Sequence, residues 1–242
     1  MKILGFIEYI MENSSVEVSS ESKLISQLVD DIIYHIKKAD VEPDGKYYEI
    51  FDLELYRRDI GCDISVYLQV SQDPDFNNDS HFKKMKWEEN RYHNRGFAID
   101  ANTYIKSDVY PRIEITILLN SESPDDVYNK LYIKLNEILS HELSHLQQIG
   151  LNRKPFSEDP HSHNNRKDHK NNYKYFLLPE EIEAMVDGMY RRSKLEGIPI
   201  DEVFINHLTP FLSDGFITPE QMNIIVKVWV THSLKNHPGA EY

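Results

Sequence analysis

The five residues His141-Glu142-Leu143-Ser144-His145 constrain this chain more than any other feature of its sequence. Residues four apart on a helix lie one turn apart on the same face. Two imidazoles at that spacing can both reach one metal ion, and zinc is the ion that such ligands favour. The glutamate after the first histidine then reaches a water molecule rather than the ion. The motif therefore predicts a helix and a site for one Zn²⁺.

The residues around the motif support a long helix that follows a group of strands. Ser123 and Pro124 suit a helix start, and Gly150 suits its end. An earlier helix is predicted over 23–38 from its apolar periodicity. Between these two helices, β-rich composition or alternation predicts strands over 47–55, 63–70, 97–105 and 112–119.

Three further helices are predicted after the motif. One opens at Pro179 and ends near Gly197, and two more cover 201–212 and 219–234. Thr218 and Gln221 form a capping box for the last helix. Strands grouped before helices indicate the α+β class, with a twisted mixed sheet, a helix carrying the motif and a helical C-terminal region. We expect a leader and linker over 1–20 and one domain over 21–242.

Composition excludes several classes of function. The formal net charge of −13 argues against nucleic-acid binding, because an acidic surface repels phosphates. A single cysteine, Cys62, leaves neither an internal disulfide nor a cysteine-rich zinc finger. The sequence has no stretch apolar enough to span a bilayer and no signal peptide. The expectation is a cytoplasmic protein without a membrane or nucleic-acid partner.

The motif and the helix after it resemble the signature of gluzincin zinc metallopeptidases. That resemblance covers about residues 112–190, and it implies a zincin-like fold in which Glu183 is the third zinc ligand. It also implies that Asp187, four residues later, accepts a hydrogen bond from a zinc-binding histidine. Glu180 and Glu181 remain alternatives to Glu183. The Glu-x-Glu-Ala at 181–184 is also similar to small zincins that cleave repressors in bacterial defence and mobile elements.

The resemblance implies hydrolysis of a protein or peptide substrate with one Zn²⁺ held by His141, His145 and Glu183. Glu142 is the expected general base, and the strand over 112–119 is the expected edge strand that pairs with substrate. Tyr190 is our candidate for stabilising the oxyanion. Alternatives for that role lie in or beside the polar loop 152–174, namely Tyr173, Tyr175 and His169. We do not expect zinc ligands among the loop histidines or near the C-terminus, namely His161, His163, His169, His232 and His237.

The first thirteen residues, MKILGFIEYIMEN, are similar to short leader segments on proteins of large tailed bacteriophages. This second resemblance implies a phage-encoded protein, located in the host cytoplasm or in the virion. It also supplies an alternative function, a virion-associated or structural protein that uses a zincin fold with little or no proteolysis. A third possibility is a metal-bound binding module without turnover, against which the intact Glu142 argues, because zinc binding alone does not require it.

Overall fold

The computed structural model describes residues 17–42, 46–57, 60–72, 96–106, 109–123, 126–150 and 173–242. Within these ranges the chain forms one helix, then four strands, then the remaining helices. Their bounds are α1 Glu17–Lys38, β1 Tyr48–Arg57, β2 Ile60–Ser71, β3 Phe97–Lys106, β4 Val109–Asn120, α2 Val127–Gly150, a short 3-10 helix Tyr173–Leu177, α3 Pro179–Glu196, α4 Ile200–Ser213 and α5 Pro219–Asn236.

The four described strands form one mixed sheet in the order β1-β2-β4-β3. β1 and β2 pair antiparallel, β2 and β4 pair parallel, and β3 returns antiparallel to β4. The strand that we predicted over 112–119 is therefore interior, because β4 pairs with a neighbour on each side. The prediction that it is an edge strand is wrong, and β3 is the end strand on that side of the sheet.

One face of the sheet packs against α1 and α2 to form the first hydrophobic core. Alternation on β4 directs its odd-numbered residues to this face, where Ile113, Ile115 and Ile117 are fully buried. β3 follows the same rule with Phe97 and Ile99. The helices contribute residues at helical spacing, namely Ile25, Leu28, Val29, Ile32 and Ile36 from α1 and Leu131, Leu135, Leu139, Leu143 and Leu146 from α2.

A second hydrophobic core lies among the 3-10 helix and α3, α4 and α5. Trp229 is fully buried at its centre, and its indole Nε1 donates to the carbonyl of Phe176 at 2.9 Å. That hydrogen bond satisfies the polar edge of a buried ring, as burial of tryptophan requires. The capping box predicted at Thr218 and Gln221 is confirmed, with both reciprocal hydrogen bonds formed.

The α2–α3 interface joins the two cores. Ala184 is fully buried there, and a Cβ on Gly188 would lie only 2.7 Å from the carbonyl oxygen of Glu137 on α2. Glycine therefore permits a helix approach that any larger residue would obstruct. Arg191 adds a polar tie, since its guanidinium donates to Asn136 Oδ1 on α2 and to the carbonyl of Ser22 on α1.

The predicted α+β class is confirmed, and every predicted strand and helix between residues 23 and 234 has a counterpart. The helix start differs at the N-terminus, because α1 begins at Glu17 inside the segment expected to be a linker. Residues 1–16, 82–95 and 151–172 lie outside the described residues, so the leader and most of the polar loop keep the status of predictions. None of the helices that the structure describes combines the length and apolarity needed to cross a membrane.

Candidate metal centre

Three side chains from α2 and α3 converge on one point. His141 Nε2 and His145 Nε2 are 3.1 Å apart, and Glu181 Oε2 lies 3.8 Å from the first and 3.9 Å from the second. Two ligands about 2.0–2.1 Å from a tetrahedral zinc ion would be separated by about 3.3 Å. The three atoms thus lie close to the separations that zinc needs, and the group could hold a metal ion.

Burial of the Glu181 carboxylate strengthens that interpretation. Glu181 is 1% exposed. Burial of a carboxylate at such depth costs free energy unless a cation or hydrogen bonds offset the loss of water. Tyr175 supplies one hydrogen bond, since its hydroxyl donates to Glu181 Oε2 at 2.7 Å. The tyrosine comes from the 3-10 helix just before α3, so the approach to α3 fixes the orientation of the carboxylate.

Glu142 follows His141 on α2 and is held by the sheet. Alternation on β3 puts Thr103 on the same face as Phe97, Ile99 and Ala101, the face that α2 covers. Its Oγ1 donates to Glu142 Oε2 at 2.6 Å. Thr103 follows three apolar residues on this face of β3, and its hydroxyl orients the carboxylate of Glu142, the residue that we predicted to be the general base.

His145 has a side-chain contact on its other ring nitrogen. Nδ1 of His145 lies 3.1 Å from Oε1 of Gln148, which is 3% exposed and sits one turn further along α2. An acceptor at Nδ1 leaves Nε2 available as a metal ligand. Gln148 thus fills at His145 the role that we predicted for Asp187.

Glu183, our predicted third ligand, lies outside the cluster. Its Oε2 accepts from Gln148 Nε2 at 3.2 Å, so the glutamine links Glu183 to His145. The structure instead brings the alternative Glu181 to the two histidines. The other alternative, Glu180, contributes its backbone carbonyl, which accepts from the same amide at 2.9 Å.

Asp187 ties the motif helix to the C-terminal segment. Its Oδ2 accepts from Ser144 Oγ at 2.5 Å, and its Oδ1 lies 2.8 Å from Nε2 of His237. Nearby, burial lowers the pKa of His232, while the charges of Asp187 and Glu183 act in the opposite direction. Neither histidine is among the three residues of the metal cluster.

Tyr190, our candidate for the oxyanion, faces the same C-terminal segment. Its ring stacks on His237 with centroids 4.4 Å apart, and Lys194 Nζ lies 5.5 Å from its centroid. These contacts place the ring beside the C-terminal segment, and its role at the oxyanion stays a prediction. Of the alternatives for this role, Tyr175 contacts the cluster directly and Tyr173 begins the 3-10 helix, whereas His169 lies outside the described residues. The loop histidines His161 and His163, which we did not expect to bind zinc, also lie outside the described residues.

A buried charge cluster lies one turn before the motif. Glu137 pairs with Lys134 at 2.5 Å, and Arg192 on α3 lies 3.7 Å from its second carboxylate oxygen. Burial acts to raise the pKa of Glu137, but the charges of Lys134, Arg192 and His207 and the hydrogen bond from Lys134 lower it to about 2. The cluster holds an ionised carboxylate at the α2–α3 interface next to Gly188.

Sequence reasoning overlooked Thr103, Gln148 and Gly188. A signal for each was present: Gln148 is three residues from His145 on the same helix, and Thr103 is the polar member of an apolar alternation. The small residues Ala184 and Gly188 mark the face of α3 that meets α2, and Glu181 shares that face at i, i+3 and i+7.

Comparison with known proteins adds no assignment. No protein-family model matches the chain, and no significant match is found among curated proteins or solved structures. The geometry of the cluster is therefore the basis for a functional proposal.

Proposed function

We propose that this protein is a zinc-dependent peptidase of the gluzincin type, with His141, His145 and Glu181 as the metal ligands. The observation that carries the proposal is the convergence of these three side chains, together with Glu142 in the position directly after the first histidine. A site that only bound metal would have no need of a carboxylate there. The identity of the ion follows from its ligands, since two imidazoles and a carboxylate are a common set for catalytic zinc.

Zinc in this position would lower the pKa of a water molecule to about 7 and polarise the scissile carbonyl. Glu142 would remove a proton from the water molecule while the water oxygen forms a bond to the carbonyl carbon of the substrate. The same carboxyl group then delivers the proton to the amide nitrogen as the carbon–nitrogen bond breaks. The 2.6 Å hydrogen bond from Thr103 fixes the orientation of the Glu142 carboxylate for this proton transfer.

The substrate in this proposal is an extended protein or peptide segment that runs along β3. This is the described strand that contacts Glu142, through Thr103. Peptidases of many kinds bind substrate by adding it to a sheet as a further strand, which aligns the scissile bond through backbone hydrogen bonds. β3 takes the role that we predicted for the strand over 112–119.

The first test measures zinc content and peptide hydrolysis together. Purified wild-type protein should hold about one equivalent of zinc, and His145→Ala and Glu181→Ala should lose it. Glu142→Gln should keep the zinc but lose hydrolysis of a mixture of synthetic peptides, followed by the release of new amines. Wild-type protein that fails to bind zinc would overturn the proposal, and zinc-loaded wild type without hydrolysis would support a binding module instead.

A further inference from the structure

Gln148 connects His145 to the N-terminal end of α3 through three hydrogen bonds. Its Oε1 lies 3.1 Å from Nδ1 of His145, while its Nε2 donates to the Glu180 carbonyl at 2.9 Å and to Glu183 Oε2 at 3.2 Å. The residue is 3% exposed, so water has little access to the amide. Each polar group of the side chain therefore has a protein partner.

The two partners on α3 determine which way the amide points. A backbone carbonyl and an ionised carboxylate can only accept hydrogen bonds, so they must face the amide NH₂ group. The amide oxygen is then directed at His145. Had the amide been reversed, its oxygen would confront two acceptors and its NH₂ would confront the imidazole.

The direction of the amide determines in turn the proton on His145. A carbonyl oxygen facing Nδ1 requires a hydrogen there, and a neutral imidazole carries only one such hydrogen. Nε2 then presents its lone pair to the point where His141 and Glu181 converge. The opposite tautomer would place a hydrogen on Nε2 and could not bind a metal through it.

We infer that Gln148, held by Glu180 and Glu183, is a positioning residue that sets His145 in its metal-binding tautomer before the metal arrives. This inference extends the proposed function, on which it rests for its catalytic meaning. It also gives Glu183 a role different from the one predicted from sequence. Glu183 acts on the centre by orienting a neutral amide rather than by binding the ion.

The deciding variant is Gln148→Met, which keeps the length of the side chain and removes the amide. The matched control is Gln147→Met at the neighbouring position on α2. Zinc affinity would be measured by competition with a chromophoric chelator. Loss of an outer hydrogen-bond partner typically weakens metal binding by about 10–100-fold, and we expect that loss for Gln148→Met and less than about 3-fold for Gln147→Met.

A second measurement reads the tautomer itself in metal-free protein. Two-bond nitrogen–proton correlations in protein with ¹⁵N-labelled histidine distinguish a hydrogen on Nδ1 from one on Nε2, at a pH about two units above the imidazole pKa. We expect Nδ1–H at His145 in wild type and in Gln147→Met, and a shift toward Nε2–H in Gln148→Met. If Gln148→Met does not fold, as judged by circular dichroism, Gln148→Leu replaces it.

The two measurements separate this inference from the proposed function. Unchanged affinity and an unchanged tautomer in the folded Gln148 variant would overturn the inference while leaving a zinc site intact. Failure of wild type to bind zinc would overturn the proposed function, yet the tautomer would still report on Gln148. Glu183→Gln retains an acceptor for the amide and should bind zinc within about 10-fold of wild type, whereas complete loss would make Glu183 a ligand and contradict the inference.

Discussion

The hydroxyl of Thr103 donates a hydrogen bond to Glu142 Oε2 at 2.6 Å, joining β3 to the helix that carries His141 and His145. Thr103 and Glu142 come from parts of the chain 39 residues apart, and the contact forms at the rim of the first hydrophobic core. A carboxylate fixed in this way does not rotate freely, which favours proton transfer along one direction.

Replacement of Thr103 by valine should therefore impair turnover without affecting the metal. Valine keeps the branched shape of threonine and removes the donor, so we expect kcat to fall by about 10–100-fold with unchanged zinc content. Peptide hydrolysis and metal analysis on the same preparation would measure both. Thr103→Ser retains the hydroxyl and should stay close to wild type, and a Thr103→Val protein with wild-type kcat would show that the hydrogen bond does not orient Glu142.

Removal of the Tyr175 hydroxyl tests how Glu181 is held. Tyr175→Phe keeps the buried ring and eliminates the 2.7 Å hydrogen bond to Glu181 Oε2. We expect zinc affinity to fall by about 10-fold, because the ligand carboxylate loses an orienting partner. Chelator competition would measure it, with Tyr190→Phe as the matched control. A variant with normal zinc affinity and a much lower kcat would instead identify Tyr175 as the group that stabilises the oxyanion.

Most of the helices and strands could be predicted because each is marked by the spacing of its hydrophobic residues. β4 alternates Ile113, Ile115 and Ile117 with more polar residues, and that pattern predicts a strand before any contact is known. Which strand lies at the end of the sheet depends on pairing between distant segments, which no local pattern encodes. The sequence therefore supported a strand over 112–119 but could not show that it lies between β2 and β3.

The residues of the candidate site that lie close together in sequence could be predicted, whereas those brought in by tertiary packing could not. His141, Glu142 and His145 lie within one helix, so their spacing alone brings them together. Glu180, Glu181 and Glu183 share one helical turn, and the choice among them depends on how α3 is rotated against α2. The packing of Ala184 and Gly188 determines that rotation, and it directs Glu181 inward. Thr103 and Tyr175 reach the site only through tertiary structure.

Gly188 should accordingly be sensitive to the smallest substitution. Gly188→Ala would place a methyl group 2.7 Å from the Glu137 carbonyl oxygen. This oxygen belongs to the backbone of α2, so it cannot move aside by a simple rotation as a side-chain atom could. We expect the free energy of unfolding to fall by about 1–3 kcal/mol, together with weaker zinc binding as α3 moves away from α2. Urea unfolding and chelator competition would measure the two effects.

Gly197→Ala provides the control for that experiment. Gly197 has a φ of 66° at the end of α3, and a Cβ there meets nothing within 4 Å. Alanine at this position should cost about 1 kcal/mol of backbone strain and leave zinc affinity unchanged. Equal loss of zinc affinity in the two variants would mean that general destabilisation, rather than the separation of α2 and α3, weakens the site.

The low pKa of Glu137 predicts how stability depends on pH. Its value of about 2 in the folded protein is below the ordinary 4.5, so the carboxylate contributes stability that is complete above pH 4.5. That contribution is lost as the pH falls from 4.5 toward 2, because the unfolded chain takes up a proton at Glu137 while the folded protein, with its attraction to Lys134 and Arg192, still holds this carboxylate ionised. Glu137→Gln removes the negative charge at every pH and leaves Lys134 and Arg192 without their anionic partner. We expect the free energy of unfolding at neutral pH to fall by about 3–5 kcal/mol.

Urea unfolding of metal-free protein at a series of pH values would test this, since the absence of zinc removes the separate effect of histidine protonation on metal binding. The difference in the free energy of unfolding between wild type and Glu137→Gln should be largest above pH 4.5 and should shrink as the pH approaches 2. Glu202→Gln, an exposed acid in the first turn of α4, controls for the loss of one carboxylate. A difference that stays constant across this range would mean that the pKa of Glu137 is the same in the folded and unfolded protein, and the charges around Glu137 would then add nothing to the interface beside Gly188.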